Sequence, residues 1–227
     1  MIGIILTPDN RSKAYIQKLI SNKVKLEHII LMNKKTKEKS FSEDKIRISR
    51  SHGFDISESV IQTLVKNNLT YKEFDFIDIN HRELIEYISK INLDYCIFTG
   101  GGILKHEILN TGTKFIHLHP GIVPYYRGST CFYYSILKDD NCGVSAYLMD
   151  KNLDTGDLIL QLNFPKSSHI YLDDVYDPHM RSETLVAIFR KKLLEKKEFQ
   201  KQDKMGTFPF FIIHPVLKHI AILRCIK

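Results

Sequence analysis

Apolar and polar positions along the chain fall into short apolar runs separated by stretches with helical spacing. Ile2 to Leu6 is an apolar run that stops at Thr7-Pro8-Asp9-Asn10, which predicts a buried strand and a turn. Lys13 to Ser21 places Ala14, Ile16, Leu19 and Ile20 close to one helical face, and Leu26 to Met32 reads as a second buried strand. A strand–helix–strand unit needs a crossover, so a parallel sheet follows. Asn33 to Ser51 is polar and lysine-rich and reads as a mobile surface excursion, with an anion-binding flap as the alternative. A helix is predicted from Ser57 to Asn67, with Ser57 as its cap and Val60, Ile61, Leu64 and Val65 on its buried face. Tyr71 to Ile77 alternates like a strand. Asn80 is expected to cap a helix through Ile91 that buries Leu84, Ile85 and Ile88.

Tyr95 to Phe98 is the next predicted strand, and it opens into Gly100-Gly101-Gly102, where backbone can approach a ligand closely. Open α/β sheets bind ligands beyond the carboxyl ends of their strands. A short helix from Lys105 to Leu109 and strands at Lys114 to Leu118, Val144 to Met149 and Leu158 to Leu162 follow. Tyr176 to Glu198 reads as one long amphipathic helix. The tail from Phe208 to Ile226 is apolar and β-prone, without a clear amphipathic helix, and Glu195 to Lys204 is the one candidate linker. The order predicts an α/β fold with a mostly parallel central sheet.

Composition narrows the class. At 227 residues, one large domain or a domain with a small appendage is expected, and 43% hydrophobic with 26% charged residues is ordinary for a globular chain. No run of 18 apolar residues suggests a membrane span, and the first residues lack the pattern of a signal peptide. Cys96, Cys131, Cys142 and Cys225 lie far apart with no CxxC, which argues against a zinc knuckle or a disulfide framework and makes a reducing cytoplasm the default. Neither GxGxxG nor GxxxxGK[ST] occurs. The formal charge of +7 is mild and selects no partner by itself.

Chemistry concentrates in His117-Leu118-His119-Pro120-Gly121, continuing through Pro124-Tyr125-Tyr126-Arg127-Gly128. On a strand, residues i and i+2 face the same side, so His117 and His119 project together. Asp154, in the turn Leu153-Asp154-Thr155-Gly156, is placed to meet them. The set has three readings: metal binding, general acid/base chemistry, and packed or surface histidines.

The motif HxHPGxxPxYRG with a later Leu-Asp-Thr-Gly turn resembles the folate-dependent formyltransferases, over roughly Leu93 to Leu160. The resemblance implies a Rossmann-like formyltransferase fold with a mostly parallel sheet, closed here by a short C-terminal helix and an apolar tail. It also implies 10-formyltetrahydrofolate as co-substrate, with no metal expected. His119 and Asp154 match the family's catalytic His and Asp, while His117 stands where the family has Asn. A histidine N–H can replace an amide N–H as a donor to an oxyanion. Gly100, Gly101, Gly102, Ile103 and Leu104, with Leu153, Thr155 and Gly156, match the loops that hold the pterin. Tyr126 and Arg127 are candidate substrate contacts. Beyond the resemblance, Tyr176 and Arg181 are candidates for a base and a phosphate, against a simple Asp–Arg pair at a helix start.

A formyltransferase domain at 1–198 and an extension at 199–227 are expected, the latter completing the core or forming a homodimer. The tRNA enzymes carry a further domain of about a hundred residues, for which the chain leaves too little length, and the glycinamide ribonucleotide enzymes carry a Gly-Ser-Asn loop where Thr7 to Ser12 stand here. The expected partner is therefore a small nucleotide-linked amino sugar, for surface polysaccharide, with no nucleic acid and no stable membrane insertion. A His-x-His metal-dependent hydrolase and a catalytically altered binding module are the alternatives.

Overall fold

The computed structural model describes residues 1–34, 40–203 and 208–226. The strand order is β3-β2-β1-β4-β5-β6-β7, and the chain divides into two compact units, residues 1–117 and 118–227.

The first unit holds β1 (Ile2–Leu6), α1 (Asn10–Ser21), β2 (His28–Met32), α2 (Glu43–Ser51), α3 (Val60–Lys66), β3 (Lys72–Phe74), α4 (Arg82–Ile91), β4 (Tyr95–Phe98), α5 (His106–Leu109) and most of β5 (Lys114–His119). All neighbouring pairs here are parallel, with Ile4 beside both Ile29 and Ile97. Ile4, Ile5 and Leu6 are wholly buried, as expected of a central strand covered on both faces. The apolar runs thus became the strands that the pattern predicts.

Several local expectations are corrected. Residues 43–51 of the lysine-rich stretch form α2, capped by Ser42, whose side chain accepts from the Lys45 amide; residues 35–39 lie outside the described residues. Ser59, not Ser57, caps α3, in a reciprocal capping box with Gln62. Its buried face is Val60, Thr63 and Leu64, and Val65 is exposed. His81 rather than Asn80 caps α4.

The second unit starts with the last two residues of β5 and holds α6 (Cys131–Asp139), β6 (Cys142–Leu148), β7 (Leu158–Phe164), a π-helical turn (Leu172–Tyr176), α7 (Asp177–Arg190), α8 (Leu193–Lys196) and α9 (Pro215–Cys225). β6 and β7 form an antiparallel hairpin, with α7 against both strands and α6 against β6 and α9. The long predicted helix is divided into α7 and α8 at Lys192, in the left-handed region at φ +54°, and the π turn runs directly into the start of α7. The tail is not β-structured throughout. Only Phe210 forms a bridge, to Gly128, and from Pro215 onward it is helical. No helix among the described residues is long and apolar enough to cross a membrane.

Candidate active site

In the first unit, the strand β4 delivers Gly100, Gly101 and Gly102. Gly101 and Gly102 have φ of +110° and +112°, backbone states that side chains rarely adopt. A Cβ at Gly101 would sit 2.6 Å from Met32 Cε. The loop is pinned from outside by the Ile79-Asn80 pair. The Ile79 amide donates to the Gly101 carbonyl at 3.0 Å. Asn80 donates to the Ile103 carbonyl at 2.9 Å and accepts from the Lys105 amide at 2.8 Å. Asn80 therefore positions the loop instead of capping α4. Ile103 is 80% exposed, whereas Leu104 is buried and offers a ligand only backbone. His117, on β5, is half-buried with its ring 6.0 Å from that of Phe98.

In the second unit, His119 is buried at the end of β5, and its Nδ1 lies 3.6 Å from Asp154 Oδ2. Its Nε2 is 2.9 Å from the Tyr126 carbonyl. A carbonyl only accepts, so Nε2 carries the proton and Nδ1 presents a lone pair to Asp154 when the ring is neutral. Burial pushes the His119 pKa down, the Asp154 charge opposes this, and the Arg181 guanidinium adds to it; the net direction is down.

Asp154 occupies the left-handed region at φ +55°, a conformation Asp tolerates better than most side chains. Its Oδ2 accepts from the Gly128 amide at 2.7 Å, and its Oδ1 accepts from the Tyr147 hydroxyl. Around it, Thr155 donates to both carboxylate oxygens of Asp150, at 2.9 and 3.0 Å. Gly156 is obligatory, because a Cβ there would lie 1.5 Å from the Leu148 carbonyl. Leu153 is half-exposed.

The loop between His119 and Thr130 is held by residues that motif reading passed over. Ser145, fully buried on β6, donates to the Gly121 carbonyl at 2.7 Å and accepts from the Val123 amide at 3.1 Å. Gln161 donates to the Val123 carbonyl at 2.7 Å. The polar positions interrupting the apolar strands β6 and β7 were the available signal. At the far end, Arg127 takes the Phe210 amide on its carbonyl at 2.7 Å, and its side chain is half-buried.

Tyr126, Tyr176 and Arg181 are the other residues expected to contact the substrate. All three are buried and use their polar groups inside the second unit. The Tyr126 hydroxyl donates to Asp139, and its ring stacks on Phe210. The Tyr176 hydroxyl donates to the Pro165 carbonyl. Arg181 donates to Asp177 at 2.8 Å and to the Leu118 carbonyl, so it acts on His119 through its charge. Among the described residues, no group of three His, Cys, Asp or Glu side chains is arranged to hold a metal ion.

A buried imidazole facing a carboxylate, inside a loop cross-braced by backbone hydrogen bonds, is an arrangement with the chemistry to take up and release a proton. A family model described as formyl transferase matches residues 7–186, and the chain belongs to that family. The methionyl-tRNA formyltransferase of Finegoldia magna is 32% identical over 106 residues, which cover 45% of this chain and 34% of that protein. The match thus spans about a third of the relative's length. Among solved structures, a sugar N-formyltransferase from Shewanella sp FDAARGOS_354 is 15% identical with a TM-score of 0.58, covering 99% of this chain and 87% of that one. An N-formyltransferase from Helicobacter canadensis, in complex with folinic acid and dTDP-3-aminofucose, is 16% identical with a TM-score of 0.60, covering 99% and 80%. At these identities the two structures establish the fold, a Rossmann-like α/β architecture with a mostly parallel sheet.

Proposed function

We propose that the chain transfers the formyl group of 10-formyltetrahydrofolate to a primary amine of a nucleotide-linked amino sugar destined for surface polysaccharide. The observation that carries the reading is the His119–Asp154 pair, with His119 Nδ1 3.6 Å from the carboxylate and its Nε2–H fixed by Tyr126. Formyl transfer needs a group that takes the proton the attacking amine loses and passes it to the departing folate nitrogen. A neutral imidazole backed by a carboxylate does this at neutral pH.

The co-substrate supplies the activated formyl carbon; the chain supplies position and proton handling. His119 accepts at Nδ1, and Asp154 balances the imidazolium while the Gly128 amide and the Tyr147 hydroxyl hold its carboxylate in place. His117 is assigned the donor role toward the tetrahedral oxyanion. Each pterin loop is assigned by its own build: in the first unit Ile103 is exposed and Gly101 keeps the backbone open to close approach, and in the second Leu153 is half-exposed and Gly156 is obligatory. Arg127 is assigned to an anionic group of the substrate. The sugar branch is supported by neighbours that include a sugar N-formyltransferase and an N-formyltransferase holding dTDP-3-aminofucose, and by Thr7 to Ser12 standing where the glycinamide ribonucleotide enzymes carry a Gly-Ser-Asn loop. In this reading residues 1–198 form the catalytic domain and 199–227 an extension. Four free, buried cysteines fit a cytoplasmic setting.

The test is turnover with 10-formyltetrahydrofolate against a panel of dTDP- and UDP-linked amino sugars, glycinamide ribonucleotide and methionyl-tRNA, read by mass spectrometry as one added formyl group. Formylation of an amino-sugar nucleotide is expected. Preference for either other acceptor overturns the substrate assignment, and no transfer to any acceptor overturns the enzyme reading.

A further inference from the structure

The four cysteines fall into two kinds. Cys96 and Cys131 are buried, each with a main-chain carbonyl as its partner, Ile97 at 3.9 Å and Gly128 at 3.4 Å, and burial pushes both thiols up. Cys142 and Cys225 meet each other instead. Both are buried in the second unit, Cys142 as the first residue of β6 and Cys225 as the last residue of α9, and the Cys142 thiol donates to the Cys225 sulfur. The surroundings set this contact. The hairpin register puts Cys142 opposite Phe164, and the chain runs on to Ser167, whose amide donates to Cys225 Sγ at 3.4 Å. Arg224 pairs with Asp140 at 3.3 Å, while Lys166 pairs with Asp140 at 3.0 Å and donates to the Arg224 carbonyl at 3.4 Å. Residues 140–142, 164–167 and 224–225 are thus pinned to one another around the two sulfurs. The Cys142 thiol, the Ser167 amide and the Lys166 charge hold the Cys225 thiol below its ordinary value against the effect of burial, and the same thiol hydrogen bond holds Cys142 above its own. Cys225 is therefore the nucleophile of the pair and Cys142 the proton donor.

We propose that Cys142 and Cys225 form a redox modification site, oxidised by a hydroperoxide to a disulfide that ties α9 to the start of β6. Buried cysteines often act only as small apolar side chains. Packing alone has no use for a main-chain amide on one sulfur and an ammonium beside it. In the first step the Cys225 thiolate attacks an oxygen of hydrogen peroxide, the O–O bond breaks, hydroxide leaves, and a sulfenic acid forms. In the second step the Cys142 sulfur attacks the Cys225 sulfur, the S–O bond breaks, and the Cys142 proton leaves with the hydroxyl as water. The two sulfurs give up two electrons, and the peroxide takes them. Hydrogen peroxide is little larger than water, and the side chains beside the pair, Lys166 and Arg224, are 32 and 47% exposed, so opening the last turn of α9 is enough to admit it. The bond would fix α9 at its far end, while the segment before the helix is already held at Phe210, whose amide donates to the Arg127 carbonyl at 2.7 Å and whose carbonyl accepts from the Ser129 amide at 2.8 Å.

The test treats the reduced full chain with a small molar excess of hydrogen peroxide, blocks the remaining thiols with N-ethylmaleimide in denaturant, and maps tryptic peptides without reductant. Two of the four thiols are expected to disappear with the loss of two hydrogens from the intact mass. Peptides 139–151 and 225–227, cut after Lys138, Lys151 and Arg224, should travel as one species that dithiothreitol separates. The unfolding midpoint should rise by roughly 5 °C or more on oxidation and return on reduction, because a cross-link closing a long loop restricts the unfolded chain. In Cys142→Ser the sulfenic acid has no resolving thiol, so dimedone should label Cys225, whereas Cys225→Ser should leave Cys142 unlabelled. The peptide map needs no variant, so a substitution that fails to fold leaves the test intact. Linkage through Cys96 or Cys131, linkage between two chains, four intact thiols after a dose and time that oxidise dithiothreitol, dimedone labelling of Cys142, or a midpoint that falls on oxidation overturns the proposal. None of these readouts depends on formyl transfer, so failure here and failure of the enzymatic reading are separable.

Discussion

The loop at residues 100–105 and the loop at residues 149–157 are both assigned to the folate, and they are built differently. The first has three glycines and is braced from outside, by one asparagine that takes two of its backbone groups. The second is braced mainly from inside, with Gln202 donating to the Gly156 carbonyl at 2.7 Å from outside. Thr155 and the Asn152 amide both hold Asp150, and the Leu148 amide meets the Asp157 carbonyl at 2.9 Å to close the hairpin. The second also turns a carboxylate away from itself, toward Gly128, Tyr147 and His119. One loop contributes shape alone, and the other contributes shape and charge. The difference implies that damage to the first should appear as weaker binding, and damage to the charged residue of the second as slower chemistry.

Asp154→Asn gives the largest expected effect. The amide keeps the size of the side chain and removes the charge that balances an imidazolium at His119. A fall in kcat of about 10³-fold is expected, within the usual contribution of a positioned acid/base group, while KM for the folate stays within about threefold. An unchanged kcat would remove the distinction between the two loops.

Tyr147→Phe probes the same carboxylate without touching its charge. Tyr147 is buried, and its hydroxyl donates to Asp154. Its loss leaves more of the carboxylate's negative charge to hold a proton on His119, so the imidazole keeps its proton to higher pH. Burial holds His119 below its ordinary value of about 6.5, so the acid limb of wild-type kcat should lie below that pH. The variant should move the limb upward by about one unit, the equivalent of one hydrogen bond to a charged group. A merely structural role would lower kcat equally at every pH.

Asn80→Ala carries the comparison to the first loop. Two backbone groups lose the side chain that pairs them, and the loop's exposed position lets water replace it. KM for the folate is expected to rise about tenfold, or about 1.4 kcal/mol, with kcat within twofold. A fall in kcat instead would mean that this loop shapes the reacting geometry.

The parallel sheet was legible in the sequence because its strands are continuous apolar runs bounded by turn residues, a pattern that burial on both faces imposes. α9 was not legible. Its sequence, PVLKHIAILRC, is apolar around most of its circumference, so it lacks the one-sided stripe that marks a surface helix. α2 was hidden for the opposite reason, since only Ser49 of its residues is buried. At the site, His119 and Asp154 were found through spacing and resemblance, while Tyr147, Ser145 and Asn80 were not. A tyrosine on an apolar strand packs in most proteins, and an asparagine before a helix usually caps it. What singles them out is the backbone group each one meets across the fold, and that information is absent from local pattern.

Thr155→Val offers the smallest and most discriminating change. It keeps the shape of the side chain and deletes the hydroxyl that donates to Asp150. If the second loop is braced from within by several contacts, the Asn152–Asp150 and Leu148–Asp157 hydrogen bonds retain most of its conformation. KM for the folate should then rise only about two- to threefold, roughly half a kcal/mol for one exposed hydrogen bond among several, with kcat and its pH profile unchanged. A rise as large as that of Asn80→Ala would mean that the internal bracing is no more redundant than the external one. A shift of the acid limb would mean that Thr155 also sets the position of the Asp154 carboxylate. Steady-state kinetics of the two variants, measured side by side with the same amine acceptor, decides between these outcomes.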